Sequence, residues 1–166
     1  MPTHRRAVAA LSAAGALVVL AYAAVIVLQV WVLNPLAAVP GLSLSEIYAR
    51  LDAAGQSPNV PAAIVPLVAV VGLAVGNGVL FRRSPVVTPG FVAAVYLGFV
   101  VLGAPIYFYT SFDMGTSLAD TFQISGGDYS PWALPLYAVS ALALLGLLAL
   151  GVAHVVRLAR RRSVPA

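Results

Sequence analysis

The chain has no cysteine and no lysine, and charged residues make up only 8% of it. Without cysteine there is no disulfide framework, no thiol nucleophile and no Cys-ligated zinc or iron–sulfur centre. A soluble domain usually carries charge on about a quarter of its residues. With 61% apolar residues instead, the sequence reads as an all-α integral membrane protein. Histidine is almost absent as well. His4 and His154 are the only two, which excludes a multi-histidine metal site within one chain.

The apolar residues fall into long uncharged runs. The first covers 7–33, and at 1.5 Å per residue its roughly 40 Å exceeds the bilayer core of about 30 Å. A secretory signal also starts with a basic stretch, here His4, Arg5 and Arg6, but its apolar part is about 7–15 residues, so this run is expected to remain as a span. Three further runs predict helices at about 60–81, 88–110 and 132–156, giving four transmembrane helices in one membrane domain over 1–166. Outer loops are expected at about 34–59 and 111–131, a cytoplasmic connection at 82–87 and a cytoplasmic tail at 157–166.

Charge assigns the sides. Arg5, Arg6, Arg82, Arg83, Arg157, Arg160, Arg161 and Arg162 all fall on one side of this topology. Arg50 falls on the other with all five acids, Glu46, Asp52, Asp113, Asp120 and Asp128. The positive-inside rule then places both termini in the cytoplasm. The arginines read as topology determinants beside anionic membrane lipid rather than as a nucleic-acid surface. Trp31, Tyr107, Tyr109 and Trp132 lie near outer helix ends and read as interface anchors. Use of arginine alone among the long bases, with abundant Ala, Val, Leu and Gly, fits a GC-rich bacterial genome, hence a bacterial cytoplasmic membrane.

The first outer loop carries the signature of a short amphipathic helix. Ser43 and Glu46 have capping-box spacing, and Leu42 can staple onto Ile47. Leu44, Ile47, Tyr48 and Leu51 repeat at one helical face, and Gly55 can end the helix. The helix is expected to lie on the membrane or on the bundle, and its stripe is a candidate partner surface. A related motif recurs in the second outer loop: Gly41-Leu42-Ser43-Leu44-Ser45-Glu46-Ile47-Tyr48 and Gly115-Thr116-Ser117-Leu118-Ala119-Asp120-Thr121-Phe122 share one pattern. The same offset superposes Tyr22 on Tyr96. A tandem duplication of a two-helix hairpin, with parallel repeats about an axis along the membrane normal, is one reading. Chance matching in an Ala-, Val- and Leu-rich chain is the other.

No Asp, Glu, Lys or Arg lies inside a predicted span, which argues against proton pumps and voltage sensors. In the second helix, Gly72 and Gly76 form a small-xxx-small pair followed by Asn77, a candidate helix-packing face. Gln29, Asn77 and Ser140 are candidates for a polar path. Pro105, inside the third helix, reads as a hinge or as a device that sets a packing angle. Asp113, Asp120 and Asp128 lack EF-hand spacing and read as solvated acids rather than a calcium site. Both histidines lie on the opposite side from every acid, so a Ser-His-Asp arrangement cannot assemble easily. Gly76-Asn77-Gly78 lacks the strand–turn–helix setting of a phosphate loop. No catalytic, cofactor or metal residue emerges.

These features favour a non-enzymatic accessory or assembly subunit whose outer loops bind another membrane or surface protein, or a second copy of the chain. The alternative is a small carrier or channel subunit for a neutral or lipophilic solute, formed by homodimerisation and lined by Gln29, Asn77, Ser140 and tyrosines. A lipid-modifying enzyme is third. Its required sign is an outer pocket joining Asp113, Asp120 or Asp128 with Arg50.

Overall fold

A computed structural model describes residues 2–162, with side chains over 3–160. The described residues are helical, without strands: α1 (Pro2–Leu28), a π-helical turn (Gln29–Leu33), α2 (Asn34–Ala38), α3 (Leu44–Ala53), α4 (Val60–Arg83), α5 (Pro89–Phe122) and α6 (Ala133–Arg162). The first three run on as one rod. Four helices are long and apolar enough to cross a membrane, Thr3–Ala38, Val60–Arg83, Pro89–Phe122 and Ala133–Arg160, so the chain is an all-α four-span membrane protein. Of the expected tail, 157–162 continues α6 and 163–166 lies outside the described residues, as do the side chains of Arg161 and Arg162.

α5 is the central element and packs on α1, α4 and α6, while α1 packs on α4 and α5. Close approach of α1 and α5 depends on glycine. The ring of Tyr22 lies over Gly103, and the ring of Tyr96 lies over Gly15, where a Cβ would stand 2.4 and 2.3 Å from ring carbons. The tyrosine hydroxyls then cross to other helices. Tyr22 donates to Leu136 O at 2.8 Å and lies 2.9 Å from Ser140 Oγ, while Tyr96 donates to Ala74 O at 2.8 Å. Membrane interiors offer no water to such groups, so backbone carbonyls and hydroxyls on neighbouring helices serve as partners.

Two expected loops are largely helix. Residues 34–38 extend the first rod, and residues 111–122 extend α5, whose 34 residues span about 51 Å. The two copies of the repeated motif differ in structure for a local reason. In the first, Pro40 follows Val39, which is driven out of the helical region (φ −127°, ψ 74°), and Gly41 takes φ 93°. The chain turns and α3 begins anew. At the corresponding place in the second copy stands Met114, and the helix continues. α5 also continues through Pro105, whose ring faces outward. The reciprocal contacts put Tyr22 level with Gly103 rather than with Tyr96. A duplication with the offset read from the sequence therefore requires an axial slip of about two turns beyond a simple rotation.

α3 follows its sequence signature closely. Ser43 caps it by accepting from Glu46 N, and the Glu46 carboxylate accepts from Ser43 N at 2.8 Å. Gly55, at φ 69°, terminates it. Ile47 and Leu51 are completely buried, and Tyr48 donates to Trp31 O at 3.0 Å. The stripe Leu44, Ile47, Tyr48 and Leu51 is thus turned onto the chain's own helices. The expectation that it meets a partner is corrected.

Candidate functional site

The polar residues at the α3 end are organised by the π turn. On an ordinary helix Gln29 and Asn34 would point about 140° apart. Here the Asn34 N–H bonds Gln29 O, five residues back, and the wider turn lets both side chains face inward. Gln29 is 0% exposed and Asn34 4%. Asn34 works as a clamp on the segment between α5 and α6. Its Oδ1 accepts from Tyr129 N at 2.7 Å and Ser130 N at 3.2 Å, and its Nδ2 donates to Gly127 O at 3.4 Å. This segment is therefore tied to the first rod.

Gln29 Nε2 donates to the Tyr107 hydroxyl at 3.4 Å, and that hydroxyl donates to Asp128 Oδ1. Tyr137 stands edge-on to Tyr107, with ring centroids 5.3 Å apart. Tyr107 is completely buried, so its expected place among the interface aromatics is corrected; Tyr109 and Trp132 do lie exposed. Gln29 Oε1 is buried without a hydrogen-bond partner among the described residues. A small crevice of about 170 Å³ opens beside this cluster, lined in part by Asn34, Ser111, Asp128 and Tyr137.

The chain of hydrogen bonds from Asp128 stops at Gln29. The next polar pair inward, Tyr22 with Ser140, belongs to a position about two helical turns further along the first rod and shares no hydrogen bond with Gln29 or Tyr107 among the described residues. Ser140 is itself occupied, donating to Val100 O at 2.7 Å. Asn77 sits on α4, where its amide donates to Leu73 O at 2.8 Å in its own helix. Gln29, Asn77 and Ser140 do not converge, so the expected polar path is corrected. The crevice between α1, α4 and α5, next to Tyr22, Leu67 and Phe99, has about 20 Å³, room for about one water.

Gly72 and Gly76 make no close approach within the chain. A Cβ on either would meet nothing within 4 Å, because both face away from the bundle. The close approach on α4 is made by Ala74 and Gly78, where a Cβ on Gly78 would meet the Tyr96 hydroxyl at 2.9 Å. The small-residue count identified the helix but not its packing face.

A larger groove, about 490 Å³, lies between the start of α4 and α5 and is lined by Asn59, Ala62, Ala63, Phe108, Tyr109, Phe112 and Asp113. Phe108, Tyr109 and Phe112 are about 60% exposed, and the two phenylalanine rings stand 6.3 Å apart along one face of α5. The polar rim is fixed. The Asp113 carboxylate accepts from Asn59 N, and Asn59 in turn caps α4 by accepting from Ala62 N at 3.2 Å. Asp113, Asp120 and Asp128 stay apart, and no group of three or more His, Asp or Glu side chains comes together among the described residues. Arg50 lines neither the groove at Asp113 nor the crevice at Asp128.

No family model, curated protein or solved structure matches this chain.

Proposed function

We propose that the chain is a non-enzymatic accessory or assembly subunit of a bacterial cytoplasmic membrane, with both termini in the cytoplasm, that holds another membrane or surface protein at its α3 end. The observation that carries this reading is the α4–α5 groove. Three large aromatic side chains stand exposed on a rigid helix beside two alanines, with a polar rim at Asn59 and Asp113. Aromatic anchors around a recess suit a partner helix or loop that brings apolar side chains to the membrane interface. The arginine distribution supports the orientation.

The separate positions of Gln29, Asn77 and Ser140 and the tight interior favour this reading over a carrier or channel. The absence of Arg50 from both acid-lined recesses weighs against a lipid-modifying site there. Phe108→Ala together with Phe112→Ala tests the proposal in a mild-detergent purification from native membranes. One partner recovered in fixed ratio with the native chain, and lost from an equally abundant variant, supports it. Recovery of the chain alone, with neutral-solute flux in liposomes, favours the carrier.

A further inference from the structure

Towards the arginine end, α6 leaves the bundle. Ala143 is buried and a Cβ on Gly146 would stand 3.5 Å from Leu97 Cδ1, but every described residue over 148–160 is exposed. The wedge between this part of α6 and the start of α5 encloses a groove of about 740 Å³. That volume lies in the range of small-molecule sites.

The groove is graded from apolar to cationic. Phe91 and Ala94 of α5 and Leu147 and Leu150 of α6 line its apolar stretch, while His154 and Arg157 line the stretch nearest the arginine end, its mouth. Leu147, Leu150, His154 and Arg157 recur at spacings of three and four and so share one face of α6. That face rises about 15 Å from first to last. Across from the two basic side chains is the N-terminus of α5, capped by Thr88, whose hydroxyl accepts from Phe91 N at 3.3 Å. The positive end of that helix adds to the cationic mouth. Gly90 and Gly151 line the groove and face open space, which keeps it wide.

The geometry points to a binding site for one anionic phospholipid, its phosphate at Arg157 and His154 and its acyl chains along Phe91, Leu147 and Leu150. Charge complementarity selects this occupant. The recess is apolar where acyl chains lie and basic where a headgroup lies, and Arg82 and Arg83 end α4 on the same side. An annular lipid touches one outer surface, whereas here two helices wall a single molecule. The inference is independent of the partner groove at the other end.

The test is native mass spectrometry of the delipidated full chain in detergent, titrated with phosphatidylglycerol or phosphatidylcholine of identical acyl chains. The native chain is expected to retain one phosphatidylglycerol and at least five-fold less phosphatidylcholine. Arg157→Gln, at an exposed helix end, is expected to lower retention about five-fold. Gly151→Leu fills the groove and is expected to abolish it, while Arg6→Gln, a charge on the same side outside the groove, leaves it unchanged. Equal retention of the two lipids overturns the site, as does a loss with Arg157→Gln no greater than with Arg6→Gln. Continued retention by Gly151→Leu, or a dimer of the chain that this substitution disperses, overturns it too.

Discussion

The Tyr22 ring rests on Gly103 so closely that a Cβ there would stand 2.4 Å from Cε1. Tyr96 does the same to Gly15, so α1 and α5 are held by two reciprocal tyrosine–glycine contacts. Alanine is the better helix former by about 1 kcal/mol. Overpacking of about 1–3 kcal/mol wins at these two sites. Gly15→Ala and Gly103→Ala are therefore expected to lower thermal stability in micelles, and Gly72→Ala and Gly76→Ala, which face open space, to leave it unchanged or raise it slightly. Equal effects at all four positions would contradict the packing described.

Asn34→Ala leaves the N–H groups of Tyr129 and Ser130 without their acceptor. The expected cost is about 1–3 kcal/mol, with faster amide exchange over 125–131 and little change in α4. Deleting Leu33, by contrast, should keep the clamp, because Gln29 and Asn34 then stand four residues apart and an ordinary helix holds them on one face, about 40° apart.

Ile47→Ala and Leu51→Ala should each cost about 2–5 kcal/mol, since both side chains are fully buried. Phe112→Ala, at an exposed position, should stay within about 0.5 kcal/mol in thermal unfolding. This contrast lets a loss of partner binding at Phe112 be separated from a loss of fold.

Two groups make α3 sensitive to pH in opposite directions. The Ser43 hydroxyl, helped by the Ser43 backbone N–H, holds the Glu46 carboxyl below its usual range. Its contribution to the cap is complete above the ordinary carboxylate range and is lost as pH falls through the lowered value. Burial pushes the Tyr48 hydroxyl up to about 12. That contribution is complete below about 10, the ordinary tyrosine value, and is lost as pH rises through the raised one. Protection of the α3 amides, taken relative to the intrinsic exchange rate at each pH, should fall at both extremes. Ser43→Ala should flatten the acid limb and Tyr48→Phe the alkaline limb.

The span count and α3 were legible because they depend on local rules. Charge-free runs set the spans, and Ser43, Glu46 and Gly55 set the helix ends. What the stripe on α3 packed against was not local information, and it proved to be the chain itself. α5 runs past its expected end because Asp113 and Asp120 end the charge-free run, not the helix, and nothing between Ser111 and Phe122 breaks the backbone. The clamp at Asn34 had one faint signal. Two amide side chains five residues apart share a face only through a π turn, and such a turn leaves no hydropathy pattern.

The central claim, that the α4–α5 groove holds a protein partner, is tested most directly by placing a photo-crosslinking residue at position 112 in native membranes, with position 73 as the lipid-facing control. The account predicts one discrete adduct with a different protein from position 112 and none from position 73. Adducts only with lipid, or only with a second copy of the chain, would contradict it.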